Sequence, residues 1–173
     1  MLDKMVRPYL KGRSGSWRID ETYIKVKGKW MYLYRGVDKS GQTIEFYLSK
    51  TRNNKAAKRF LNKAVRQQRR DDQPVYVINV DKDKAYPKAF KSMMKDGKLN
   101  ETTKFRQVKY LNNIIEQDHR FVKKKIKISL GFQSFKTAYD TIKGLEAMNM
   151  IRKNQLFHIL ANQPRLQMNF INR

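Results

Sequence analysis

Three acidic residues are placed where phosphate chemistry would use them. Asp20 lies in an apolar and aromatic run, 17–24, whose period-two alternation puts it on the face of Thr22 and Ile24. Asp81 directly follows the nearly all-apolar run 75–80, and active-site groups of α/β sheets gather at the carboxyl ends of strands. Glu116 falls beside a helical stripe formed by Leu111, Ile115, Val122 and Ile126. Each acid also has a plainer role open to it: a strand end for Asp20, a turn or helix start for Asp81, an i,i+4 pair with Arg120 for Glu116. Glu21, Asp83 and Asp118 are close enough in sequence to compete.

Carboxylates are hard donors. A chain without cysteine and with only two histidines, His119 and His158, suits Mg²⁺ or Mn²⁺ better than zinc, with His119 the weaker ligand candidate. Two such ions, roughly 3.5–4 Å apart, would activate an attacking oxygen and stabilise the leaving oxygen of an in-line phosphoryl displacement.

The rest of the composition is opposite in sign. Across 173 residues, 39 Lys and Arg face 15 Asp and Glu, a formal net charge of +24. Such an excess calls for an anionic partner, and nucleic acid leads, because neutralising phosphates releases counterions and supplies affinity without sequence information. A ribosomal protein or a basic DNA-binding remnant without chemistry would share the charge but would not require three acids at these positions. No apolar stretch approaches the roughly 20 residues of a membrane span, and 1–16 lacks the apolar run of a secretory signal, so an intracellular, cytoplasmic protein without a membrane partner is expected. The absence of cysteine excludes disulfides and thiol nucleophiles.

The elements that must carry these groups can be read in order. Residues 17–50 read as three antiparallel strands with turns at Lys27-Gly28-Lys29 and Asp38-Lys39-Ser40-Gly41. An amphipathic helix follows over 55–68, with Ala56, Phe60, Ala64 and Gln67 beside Ala57, Leu61 and Val65. A strand buried on both faces is expected over 75–80, a helix over 86–95 stopped near Gly97, a short strand at 104–108 and a helix at 111–127. A packing helix over 134–154 has its stripe through Phe135, Ala138, Ile142, Leu145, Met148 and Ile151. The order predicts an α/β fold, a mixed sheet covered by helices. Trp30, Tyr32 and Tyr34 alternate as core or cross-strand aromatics do, and are not assigned to bases. Lys25, Lys27, Lys29, Arg66, Arg69, Arg70 and the run 123–127 supply cations around the acids.

These residues resemble a known family, the bacterial insertion-sequence transposases of the insertion sequence six group. The resemblance rests on Trp17-Arg18-Ile19-Asp20-Glu21-Thr22-Tyr23-Ile24-Lys25, on Gly28-Lys29-Trp30 with Tyr32-Leu33-Tyr34-Arg35, and on Lys109-Tyr110-Leu111-Asn112-Asn113 through Glu116-Gln117-Asp118-His119-Arg120. The 34 residues between Asp81 and Glu116 match the spacing of the family's Asp, Asp, Glu triad, and Ala85-Tyr86-Pro87-Lys88-Ala89-Phe90 is similar to the segment after its second aspartate. The resemblance thus selects Asp81 over Asp83 and Glu116 over Asp118, and sets Lys123 at the family's Lys/Arg position.

It implies an RNase H-like fold over 17–155, with three antiparallel strands and then parallel ones. Residues 1–16 would be a basic linker remnant and 156–173 a C-terminal tail. It also implies Asp20, Asp81 and Glu116 as catalytic ligands of two Mg²⁺ or Mn²⁺ ions. Arg120, Lys123, Lys124, Lys127, Lys25 and Lys29 would contact DNA, both element ends and target, with copies of the chain associating on it. The implied reaction is hydrolysis at the element end followed by attack of the freed 3′ hydroxyl on target DNA. Relatives carry a helix-turn-helix ahead of the first aspartate, so a truncated copy is expected here.

Overall fold

A computed structural model describes residues 2–69, 73–81, 84–108, 113–128 and 132–157. Five strands form one sheet: β1 (Ser16–Val26), β2 (Lys29–Asp38), β3 (Thr43–Ser49), β4 (Val77–Val80) and β5 (Lys104–Gln107), in the order β3-β2-β1-β4-β5. The first three pair antiparallel, while β4 joins β1 and β5 joins β4 in parallel. The expected three-strand meander followed by parallel strands is therefore present. Its first turn is tight because Lys27 and Gly28 both adopt positive φ, 47° and 76°, the conformation that two-residue hairpins require.

Helices cover both faces. α2 (Asn54–Gln68) and α3 (Ala85–Lys95) pack on one side, where Phe60, Leu61, Ala64, Tyr86, Ala89 and Met93 meet Trp17, Ile19, Tyr34, Ile78 and Val80. α4 (Asn113–Ile128) and α5 (Phe135–Arg152) pack on the other, where Val122, Ala138 and Ile142 meet Ile24, Val26, Leu33, Phe46 and Leu48. Alternation along β1 feeds both cores: Trp17 and Ile19 point to α2 and α3, Ile24 and Val26 to α4 and α5. A register shift in β3, where Gly36 faces Glu45 but Val37 faces Thr43, turns Ile44 toward the α2 side.

Local signals set the helix ends. The side chains of Asn53 and Ser134 accept hydrogen bonds from the backbone N–H groups of Ala56 and Thr137 and cap α2 and α5. Gly97, at φ 63°, closes the turn after α3. β4 begins at Val77 rather than Val75, and all four of its residues are buried, as a central parallel strand requires.

α5 departs from the expected stripe. Ala138, Ile142 and Ile151 are buried as expected, but Met148 is 42% exposed, and Glu146, Ala147, Asn149 and Met150 are buried instead. Two partners cause the difference. Glu146 and Asn149 reach charged groups under the sheet, described below, and Ala147, Met150 and Ile151 pack against Val6, Leu10 and Leu156. Leu2–Val6 forms a short helix, α1, followed by a 3₁₀ turn at Arg7–Tyr9, so part of 1–16 packs on α5. Of the segment 156–173, only Leu156 and Phe157 lie within the described residues; Leu156 is buried and bridges Leu10.

Gly15 sits where the chain enters β1, and its carbonyl accepts from the N–H groups of Tyr76 and Val77 at 3.1 and 3.3 Å. A Cβ there would lie 1.9 Å from the Pro74 carbonyl oxygen and 2.8 Å from the Tyr76 ring. The Pro74 carbonyl has no room to yield without opening the β1–β4 junction. Gly15→Ala is expected to cost about 1–3 kcal/mol, the range for a side chain forced into packed space, read as a lower urea midpoint with an unchanged slope.

Candidate active site

The parallel pairing of β1 with β4 brings the two aspartates level at the carboxyl end of β4. Ile19 faces Val80, and continuing that register by one residue sets Asp20 level with Asp81, which is the first residue beyond β4. On its other side Asp20 faces Arg35 of β2. The Asp20 side chain is 21% exposed, and Asp81 is exposed at the sheet end. Asp83 lies outside the described residues.

α4 crosses Asp20 through one contact: His119 Nε2 stands 3.2 Å from Asp20 Oδ2. Glu116 is one turn earlier on the same helix, exposed, and makes neither an ion pair nor a side-chain hydrogen bond among the described residues. The plain i,i+4 pairing of Glu116 with Arg120 is thus absent. Within the predicted core stripe Ile115 and Val122 are fully buried and Ile126 is partly buried, whereas Leu111 lies outside the described residues.

The neighbouring acids are committed elsewhere. Glu21 points to the opposite face of the sheet, where it accepts from the Tyr86 hydroxyl at 2.8 Å and pairs with Arg52. Burial and the Glu21 carboxylate raise the Tyr86 phenol well above its ordinary range. Asp118 is buried: its Oδ2 accepts from Arg35 Nη2 at 2.6 Å, and its Oδ1 from Asn149 at 3.1 Å and Lys153 at 2.6 Å. Burial opposes the charge of Asp118, but Arg35 and Lys153 outweigh it and hold the carboxyl below its ordinary pKa.

Arg35 is the hub of this network. It is almost wholly buried, with Nε and Nη2 donating to Glu146 at 2.6 and 3.0 Å, and Nη1 lying 3.4 Å from His119 Nδ1. Burial alone would lower its pKa, yet Glu146 and Asp118 raise it, so the guanidinium stays charged. His119 is pushed down by burial, with Arg35 adding to that and Asp20 opposing it. Sequence reading gave no role to Arg35, Glu146, Asn149 or Lys153. One signal was available: Arg35 continues the alternation of Met31 and Leu33 on an inward face, and a charge at such a position must find buried partners.

Among the described residues no three His, Asp or Glu side chains are gathered closely enough to hold an ion. The donors available around the carboxyl end of β4 are nevertheless hard oxygens: Asp20, whose Oδ2 alone is engaged by His119, Asp81, and Glu116 without an ion pair. That donor set fits Mg²⁺ or Mn²⁺ and not a thiophilic metal.

Around it the surface is basic. Arg120, Lys123, Lys124, Lys127, Lys25 and Lys29 are all exposed, whereas Arg70 lies outside the described residues. The Lys27 N–H donates to the Phe132 carbonyl at 2.7 Å, which ties the segment after α4 to the β1–β2 hairpin. At that hairpin Trp30 is 60% exposed, in edge contact with Tyr23 and under the Lys25 ammonium, while Tyr34 is buried against Phe60 and Tyr86. The three aromatics thus divide: Tyr34 is core, Tyr32 is a cross-strand partner of Tyr23, and Trp30 stays at the surface.

Residues 14–155 match the protein family described as DDE domain. The chain belongs to the DDE transposase family. Over 137 residues, 79% of its length, it is 41% identical to the transposase for insertion sequence-like element IS431mec of Staphylococcus aureus strain Mu50. The same identity and coverage hold for the transposase for insertion sequence element IS257 in transposon Tn4003 of Staphylococcus aureus. The chain spans 58% of the length of each of these relatives.

Among solved structures it is similar to the dimeric form of the HTLV-2 integrase catalytic core domain in complex with magnesium. The TM-score is 0.56 at 15% identity, over 87% of this chain and 99% of that one. The trimeric form of the same domain gives 0.55 at 17% identity, over 91% and 96%. At such identities the likeness concerns the fold, which is RNase H-like as the sequence resemblance implied. None of the chain's described helices is long and apolar enough to cross a membrane.

Proposed function

We propose that this DDE domain cuts and joins DNA in transposition, with Asp20, Asp81 and Glu116 as ligands of two divalent ions. The observation that carries the reading is the parallel β1–β4 pairing, which levels Asp20 with Asp81 at the carboxyl end of β4, with His119 of the helix that bears Glu116 in contact with Asp20. Mg²⁺ or Mn²⁺ bound there would supply Lewis-acid stabilisation of the attacking and leaving oxygens. Asp20, fixed by His119, offers one oxygen in a set direction, while Glu116 is without the i,i+4 pairing that would otherwise hold it in solvent.

The reaction has two displacements. Water attacks the phosphodiester at the element end, breaks the P–O3′ bond and leaves a 3′ hydroxyl. That hydroxyl then attacks a target phosphodiester, forming a new P–O bond as the target's 3′ oxygen departs with a proton. No covalent protein intermediate is needed. Arg120, Lys123, Lys124, Lys127, Lys25 and Lys29 bind phosphates along the strands, element end and target alike, and copies of the chain associate on DNA in the bacterial cytoplasm. The magnesium of the integrase core structures and the transposase names of the relatives support the same chemistry.

The test is joining of a precut oligonucleotide, carrying the element's terminal sequence and a 3′ hydroxyl, to supercoiled plasmid. Joined product is expected with Mg²⁺ or Mn²⁺ and none with EDTA. Binding without joining in either metal would contradict the reading and leave a DNA-binding protein without chemistry. Binding itself should be steeply salt-dependent, and Lys123→Ala with Lys124→Ala should lower the slope of log affinity against log salt by about 2, one for each phosphate no longer neutralised.

A further inference from the structure

We propose that His119 is a positioning residue for Asp20, held by Arg35 as the neutral tautomer whose proton sits on Nε2. This inference rests on Asp20 being an active-site ligand, as proposed above, and adds what sets that carboxylate's orientation.

The atoms able to donate decide the tautomer. A guanidinium has five N–H donors and no acceptor. Arg35 Nη1 lies 3.4 Å from His119 Nδ1, so that nitrogen must be the acceptor and carry no proton. In a neutral ring the proton is then on Nε2, the atom 3.2 Å from Asp20 Oδ2, and the histidine donates to the carboxylate. The Arg35 contact is buried, and at the Asp20 contact the His119 side chain is 7% exposed against 21% for the carboxylate.

Arg35 cannot turn away from this duty. Its Nε and Nη2 donors are held by Glu146 from α5 and Asp118 from α4, and Asp118 is itself held by Asn149 and Lys153. A continuous chain therefore runs from α5 through β2 and α4 to Asp20 in β1. Two consequences follow. Fixing Oδ2 stops rotation of the Asp20 carboxylate and leaves Oδ1 in one direction. The same bond anchors α4 on β1 within one turn of Glu116, so it also sets how the first and third acids face each other. Groups at one remove from a metal ligand act in this way, and their loss commonly weakens metal binding by roughly 10–100-fold.

The test compares His119→Gln, whose terminal amide retains a donor near Nε2, with His119→Phe, which keeps the ring and loses the donor. Mn²⁺ binding to the chain, followed by the electron paramagnetic resonance of free Mn²⁺, should weaken at least about tenfold in His119→Phe and stay within about threefold in His119→Gln. In strand transfer, His119→Phe should lower kcat with little change in KM for DNA. Should His119→Phe fail to fold, nitrogen-15 spectra of the His119 ring in His158→Gln protein decide independently. They are expected to show Nε2 protonated and Nδ1 bare near neutral pH. A proton on Nδ1, or equal Mn²⁺ affinity in His119→Phe and the unaltered chain, overturns the proposal. Failure of the unaltered chain to bind Mn²⁺ or join DNA would instead count against the proposed function, so the two are separable.

Discussion

Glu116→Gln is expected to lower strand transfer by about a thousandfold while leaving DNA affinity within about threefold of the unaltered chain. The amide keeps the shape of the side chain and its place on α4, so neither the helix nor its packing should change. What is lost is a negative oxygen ligand. Removing several kcal/mol of transition-state stabilisation, at about 1.36 kcal/mol per factor of ten, gives that order of magnitude. Because Glu116 is exposed and makes no ion pair or side-chain hydrogen bond among the described residues, its replacement should be silent in thermal unfolding. Single-turnover joining of precut ends measures the effect. A variant with more than about a tenth of normal activity would mean that Glu116 is an ordinary surface residue.

Arg35→Met should produce the largest loss of stability, about 3–5 kcal/mol, because it leaves Glu146 and Asp118 as buried charges without their shared cation. In a domain of this size that corresponds to a fall in Tm of about 10 °C. Lys153 and Asn149 still serve Asp118, whereas Glu146, which is fully buried, is left worse off. Adding Glu146→Met should therefore recover a good part of the loss, since a buried pair is often replaceable by apolar groups when both members go. Urea unfolding of the two variants distinguishes this from loss of bulk. If Arg35→Met cost under about 1 kcal/mol, the network would have to be reached by water, contrary to its burial.

These two residues also mark how far the fold and the site were legible from sequence. The meander, the buried strand before Asp81 and the five-strand mixed sheet follow from local signals: alternation in 17–50, the apolar run after Pro74, and helical periodicity in 55–68. The placement of Asp20 level with Asp81 was less accessible, because it depends on a parallel pairing between strands far apart in the chain. Choosing Asp81 and Glu116 rested on family spacing rather than on chemistry.

The polar network was not legible at all from periodicity. In α5 an apolar-stripe reading favours Met148 over Glu146, since nothing in that helix announces that an arginine from β2 waits beneath it. Only the two partners together explain either. Likewise, Asp118 looked equivalent to Glu116 along the chain. Two residues' difference on a helix, about 200° around its axis, turns one acid into the protein and leaves the other at the surface.

If Asp20, Asp81 and Glu116 jointly hold the ions, binding of metal and DNA must draw them together, since among the described residues no three such side chains are gathered around one point. Anomalous diffraction from crystals of the chain bound to a 3′-hydroxyl DNA end and soaked in Mn²⁺ tests this most directly. Two peaks about 3.5–4 Å apart are expected, with oxygens of Asp20, Asp81 and Glu116 as their protein ligands. Mn²⁺ held by other residues, or no peak at this end of the sheet with DNA in place, would contradict the three-acid site.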